Sequence, residues 1–190
     1  MNTSYIATVP TYPELARLAA VPNIPWESLL TTRILPYLSQ EWLRHYFLSL
    51  AAGDVEVNLN NSSLDTFSYL FDIGPDRLIA AWGISRGRFP GARDNGRIRG
   101  YPVSTRPVYH AGHAIPHRLG GGADINLAAQ LGSLNTGAFR ELENRAVKTP
   151  GSLYFTYWMY SMSRTAQVAS RIQQGLLIRG SQPDIKVFNN

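Results

Sequence analysis

The spacing of apolar positions changes character at Gly53. Before it, hydrophobic residues recur at three- and four-residue intervals, the signature of one helix face. Thr11 and Glu14 stand at capping-box spacing with Pro13 at an early helical position, which predicts a helix over about 13–20. Pro22 and Pro25 break it, Trp26 to Leu35 predicts a second helix stopped by Pro36, and Ser39 can cap a third. That third helix carries Trp42, Tyr46 and Ser49 along one side, and Gly53 supplies its exit. Beyond Gly53 the period is two: Val55, Val57 and Leu59 alternate with acidic or amide residues, Asn60 to Ser63 makes a turn, and Phe67 to Phe71 is the partner strand. Gly74-Pro75-Asp76 turns the chain again into an apolar strand from Leu78 to Ile84.

Ser85 to Gly100 differs in kind, with Arg86, Arg88, Arg93, Arg97 and Arg99 against the single acid Asp94. Its four glycines and Pro90 predict a basic loop without regular structure. Val108 to His113 then predicts a strand, Gly120 to Gly122 a flexible turn, Ile125 to Ala128 a short strand, and Asn135 to about Val147 a helix that Pro150-Gly151 closes. Leu153 to Tyr160 and Ile172 to Ile178 are further strands, and Ala166 to Ser170 is ambiguous. Helices first and strands after imply an α+β fold, a twisted antiparallel sheet with N-terminal helices. One domain over 1–190 is expected, with 1–53 as a helical cap and 54–190 as the sheet and the candidate site.

Composition narrows the class without choosing a function. A 190-residue chain that is 44% hydrophobic, with four Trp, ten Tyr and seven Phe, buries a substantial core and is not disordered. The net charge of +5 attracts polyanions, which suits ribosomal, membrane-surface and nuclease readings alike. The absence of cysteine excludes disulfides, thiolate metal sites and a cysteine nucleophile. Met1 to Tyr5 is not a positive n-region leading into an apolar stretch, and no run approaches the ~18 apolar residues of a membrane span. The expectation is a chain made in the cytoplasm without a signal peptide, with no membrane partner, exported if at all by a signal-independent system.

The candidate chemistry lies between Gly112 and Glu143. Cutting a phosphodiester requires a nucleophilic water, a neutraliser for the charge on the pentacovalent phosphate, and a stabilised leaving oxygen. A neutral imidazole is a suitable base, since its reference pKa of ~6.5 leaves it mostly unprotonated at neutral pH. His113 is the candidate, on a strand after Gly112, whose missing side chain would let a substrate backbone approach. Mg2+ takes only one or two direct protein ligands and keeps several waters, so Asn135 with Glu143 is a plausible partial shell. On one continuous helix, Glu143 would sit roughly 80° round and 12 Å along from Asn135, too far to share an ion through short contacts. The helix N-terminus would add partial positive charge.

Together Gly112-His113, Asn126-Leu127-Ala128-Ala129-Gln130 and Asn135-Thr136-Gly137-Ala138-Phe139-Arg140-Glu141-Leu142-Glu143 resemble the DNA/RNA non-specific endonucleases of the His-Me finger (ββα-metal) superfamily. They are similar to the end of that family's Asp-Arg-Gly-His signature, to its Asn-x-x-x-Gln element and to its Asn-x-Gly-Ala-aromatic-x-x-Leu-Glu helix. Weaker similarity extends through Leu78 to Trp82. The resemblance implies a ββα-metal site with His113 as general base, Asn135 as direct ligand of Mg2+ (Mn2+ as substitute), Glu143 as a ligand through water and Asn126 as a supporting residue. It further implies a metal-dependent endonuclease that hydrolyses DNA and RNA without sequence preference and leaves 5′-phosphate ends. The signature's Asp and Arg are replaced by His110 and Ala111. Toxin-associated relatives share the pattern without that arginine, which points to a bacterial effector branch with a cognate inhibitor (immunity) protein as partner.

Each residue also has a plainer reading. His110, His113 and His117 are spaced His-x2-His-x3-His, which on a helix would suggest zinc, but Gly112 and Pro116 oppose a helix there. Asn135 suits an N-cap, Glu143 suits a partner for Arg140 or Lys148, and Asn126 suits a hydrogen-bonding scaffold for the histidine loop. Candidate substrate contacts are Arg86, Arg88, Arg93, His110 and Arg140, with Arg93 and Arg88 favoured to stabilise the transition state. The alternative function is a non-catalytic basic nucleic-acid-binding module.

Overall fold

The computed structural model describes residues 9–49, 55–60, 67–91, 108–160 and 165–190. The fold is α+β. Six strands form one sheet in the order β1 (Val55–Asn60), β2 (Phe67–Asp72), β3 (Arg77–Ile84), β6 (Leu153–Met159), β7 (Arg171–Leu177), β8 (Asp184–Asn189), and every neighbouring pair is antiparallel. β1 to β3 and β6 to β8 are each a meander. Between them the chain leaves the sheet to build a two-stranded ribbon, β4 (Tyr109–His113) with β5 (Leu127–Leu131), and the helices α4 (Gly132–Thr136) and α5 (Phe139–Lys148). The ribbon and helices follow one another in ββα order, as the resemblance implies.

All seven residues of β6 are buried because helices cover both faces of the sheet. On one face α3 (Leu35–Ser49) sets Trp42 against Trp82, Phe155 and Tyr157, with ring centroids 5.5, 5.2 and 6.3 Å away. The indole N–H of Trp42 donates to the Tyr12 hydroxyl at 2.8 Å, and that hydroxyl donates to Gln173 at 2.5 Å. Removing such a fully buried indole costs about 3–5 kcal/mol. On the opposite face α5 buries Phe139, Leu142 and Ala146, with Phe139 5.1 Å from Phe188. Gln174 fixes the register of that helix by donating to the Phe139 carbonyl and the Tyr154 hydroxyl, both at 2.8 Å.

Several elements differ from their sequence expectation. The first helix, α1, covers only Leu15–Ala19; it has no side-chain cap, and Glu14 pairs instead with Arg17. Pro36 does not stop the second helix. α2 (Trp26–Leu29) runs through a π turn, Leu30–Ile34, directly into α3. A proline inside an α-helix collides with the carbonyl four residues back, and the widened turn immediately before Pro36 offsets that carbonyl ladder. Trp42 and Tyr46 lie on the buried face, while Gly53 and the turn after Asn60 fall outside the described residues. Asn126 closes a 3-10 turn (Asp124–Asn126) ahead of β5, so that strand begins two residues later than expected. β8 lies beyond the strands that the pattern predicts. It is a half-exposed edge strand of six residues whose alternation is weak. Among the described residues no helix is long and apolar enough to cross a membrane.

Candidate active site

His113 ends β4, where it pairs with Leu127 of β5, and its side chain is 9% exposed. The chain then folds back through a 3-10 turn, His117–Leu119. Asn126 holds this loop from beneath: its Oδ1 accepts the Ile115 N–H at 2.7 Å, and its Nδ2 donates to the carbonyls of Ile115 at 2.8 Å and Gly122 at 2.9 Å. The amide is wholly buried. Gly120 has φ +105°, and any Cβ on Gly121 would overlap the Ile115 carbonyl oxygen. The turn has room for no side chain at Gly121, while Gly122 faces open space.

Gly112 also has a different use from the one expected. The space a side chain would fill there is occupied by Gln130 of β5, so Gly112 admits a neighbouring side chain, not a substrate backbone. The Gln130 amide is buried and makes no hydrogen bond to the described residues.

The helix expected to begin at Asn135 is two helices. α4 ends at Thr136, Gly137 breaks the chain at φ −115°, ψ −107°, and α5 begins at Phe139. Asn135 therefore lies in the last turn of α4, not in the first turn of α5, and the continuous-helix geometry does not apply. The break lets two residues that one straight helix would separate face the same space. His113, Pro116, His117, Arg118, Asn135, Thr136, Arg140 and Glu143 line one cavity of about 310 Å³. The base candidate, both metal-ligand candidates and one arginine candidate thus meet there.

The other candidates lie elsewhere. His110 and His113 are three apart on a strand and so point to opposite faces; the His110 ring lies over Gly132, whose Cβ it would strike. His110, His113 and His117 form no metal-binding group among the described residues. Arg86 and Arg88 line a second, mostly apolar cavity next door. Arg93 lies outside the described residues. His117 and Arg118 enter the first cavity unforeseen. Their available signal was Pro116 ahead and Gly120-Gly121 behind, which together force a tight turn beside His113.

Neighbouring contacts fix these groups. The His113 and His117 rings meet edge to face with centroids 6.4 Å apart. Arg118 donates to the side-chain Oδ1 of Asn144 on α5, tying the turn to that helix. Ser85, at the exit of β3, donates through its hydroxyl to the Ala146 carbonyl at 2.7 Å, which locks the sheet to the end of α5. Asn190 accepts the Leu131 N–H at 2.8 Å and donates to Ala129 at 3.0 Å, which docks the ribbon. Burial raises the Tyr154 phenol well above its ordinary value, and the nearby Glu143 carboxylate raises it further.

The donor set suits a hard cation with water around it. Asn135 and Glu143 offer an amide oxygen and a carboxylate to one polar cavity, the type and number of ligands that Mg2+ accepts while keeping most of its hydration. A closed cage is not formed: among the described residues no three His, Asp or Glu side chains converge.

No family model matches the sequence, and no curated protein does. Among solved structures the chain is similar to an extracellular endonuclease at 17% identity, over 73% of this chain and 70% of that one, with a TM-score of 0.37.

Proposed function

We propose that the protein is a metal-dependent nuclease that hydrolyses phosphodiester bonds of DNA and RNA at the cavity between the ribbon and α5. The observation that carries this reading is the meeting of His113, Asn135, Arg140 and Glu143 around one polar space, in the ββα order of the motifs that resemble the His-Me finger nucleases. His113 accepts the proton of the attacking water through its imidazole. Strand pairing and the loop fixed by Asn126 position its backbone, and its ring packs edge to face on His117. Arg140 and Arg118 present guanidinium groups to the phosphate, neutralising charge without reading bases. Asn135 would hold Mg2+ directly, with Glu143 orienting its hydration. The cation would offset charge developing on the phosphate and the leaving oxygen.

A plasmid-nicking assay tests the reading. Nicking in Mg2+ that EDTA abolishes supports it; tight DNA binding with no nicking in Mg2+ or Mn2+ overturns it in favour of a non-catalytic binding module. The His110-Ala111 form of the motif extends the proposal to an effector restrained by an inhibitor protein. Toxicity on cytoplasmic expression that disappears in His113→Ala supports that extension, and harmless expression of an active wild type counts against it.

A further inference from the structure

We propose that the apolar cavity beside the candidate active site is a nucleobase subsite, taking a base of the same strand whose phosphate enters the polar cavity. The proposal rests on the nuclease reading above. The subsite measures about 400 Å³ and is walled by Phe67, Ile84, Phe89 and Leu119, with Arg86 and Arg88 also lining it. That volume is within the range of small-ligand pockets, and neither arginine belongs to the polar cavity.

Two rings divide the cavities. Phe89 lines the apolar one, His117 lines the polar one, and they meet edge to face with centroids 5.9 Å apart. His117 in turn packs on His113. The Phe89 N–H donates to the Arg118 carbonyl at 2.8 Å, so the loop after β3 and the turn after β4 form one wall. In a nucleotide one sugar separates base from phosphate, and here one ring pair separates an apolar slot from a cationic, polar one.

The Phe89 ring lies against the backbone at Gly91 and Gly120 and edge to face with His117. A side chain at Gly91 would overlap it, and one at Gly120 would come within 3.4 Å. A flat heterocycle gains from stacking on an aromatic ring whatever its identity, which suits binding without sequence preference. Arg86 and Arg88 decide the class of occupant: they pair with the phosphates on either side of an inserted base, whereas an apolar peptide side chain would leave both guanidinium groups without anionic partners.

The test uses full-length His113→Ala protein, so that bound strands are not cut, and fluorescence anisotropy in Mg2+. Labelled hexathymidylate is compared with a hexamer of abasic tetrahydrofuran residues of equal length and charge. Hexathymidylate is expected to bind about tenfold tighter or more, one stacked base accounting for the difference. Adding Phe89→Leu, or independently Phe67→Leu, removes most of that ratio while leaving abasic binding in place. Equal affinity for the two strands overturns the subsite and leaves the nuclease reading standing. Binding of neither strand overturns both. A ratio that survives both leucine variants, each shown folded by circular dichroism, places base recognition elsewhere and likewise overturns the proposal.

Discussion

The side chain of Asn126 brackets one residue of the histidine loop, accepting the Ile115 N–H at 2.7 Å and donating to the Ile115 carbonyl at 2.8 Å. This reciprocal pair replaces strand pairing two residues past His113, where β4 has ended. A buried loop has no water to satisfy its backbone, so one carboxamide does so.

Asn126→Ala should therefore cost about 2–4 kcal/mol of stability, because three backbone polar groups, two of them buried, lose a partner together. Urea denaturation measures it. A loss below about 0.5 kcal/mol would mean that the loop is held by other contacts.

Gly121 and Gly122 should behave as opposites despite being neighbours. Gly121→Ala drives a methyl into the Ile115 carbonyl and should lower the thermal midpoint clearly, whereas Gly122→Ala enters open space and should change stability by no more than about 0.5 kcal/mol. Equal effects in a thermal melt would contradict the close packing at Gly121.

Asn135→Ala should raise the Mg2+ concentration that half-saturates cleavage by roughly tenfold or more, and Glu143→Gln should raise it by less. Cleavage rate against Mg2+ concentration reads both. An unchanged requirement in Asn135→Ala would remove that residue as a ligand.

Alkaline pH should unfold the protein cooperatively with tyrosine ionisation. Burial raises the phenols of Tyr154 and Tyr157 well above 10, and that of Tyr46 is raised by burial and by its bond to Asp72. A group with a raised folded pKa contributes stability that is complete below the unfolded value and declines as pH climbs past it. Stability measured by urea titration should accordingly hold to about pH 10 and fall steeply above it. A stability independent of pH from 9 to 12 would contradict the burial of these rings.

Much of the sheet was legible because alternation survives where a strand is long. β1 and β2 follow from Val55 to Phe71, and β6 from an apolar run bounded by Pro150-Gly151. Local rules failed where tertiary packing overrides them. Pro36 reads as a stop because nothing nearby in sequence announces the π turn that accommodates it. Asn135 reads as a helix start because Asn is a common N-cap, yet Gly137 is the residue that sets the geometry. The motif spacing brought His113, Asn135 and Glu143 to attention, while the arginine beside them, Arg118, carried no period or motif of its own. Gly112 pairs with Ala128 and Gln130 with His110, and only the pairing of β4 with β5 shows that the Gln130 side chain fills the space beside Gly112.

The central claim is that the His113 imidazole takes the water proton at the cavity shared with Asn135. Single-turnover cleavage of a defined duplex in Mg2+ by wild type and His113→Ala tests it most directly, with circular dichroism and DNA affinity measured on the same samples. A rate at least about a hundredfold lower, with fold and affinity retained, is predicted. Turnover within about threefold of wild type would contradict it.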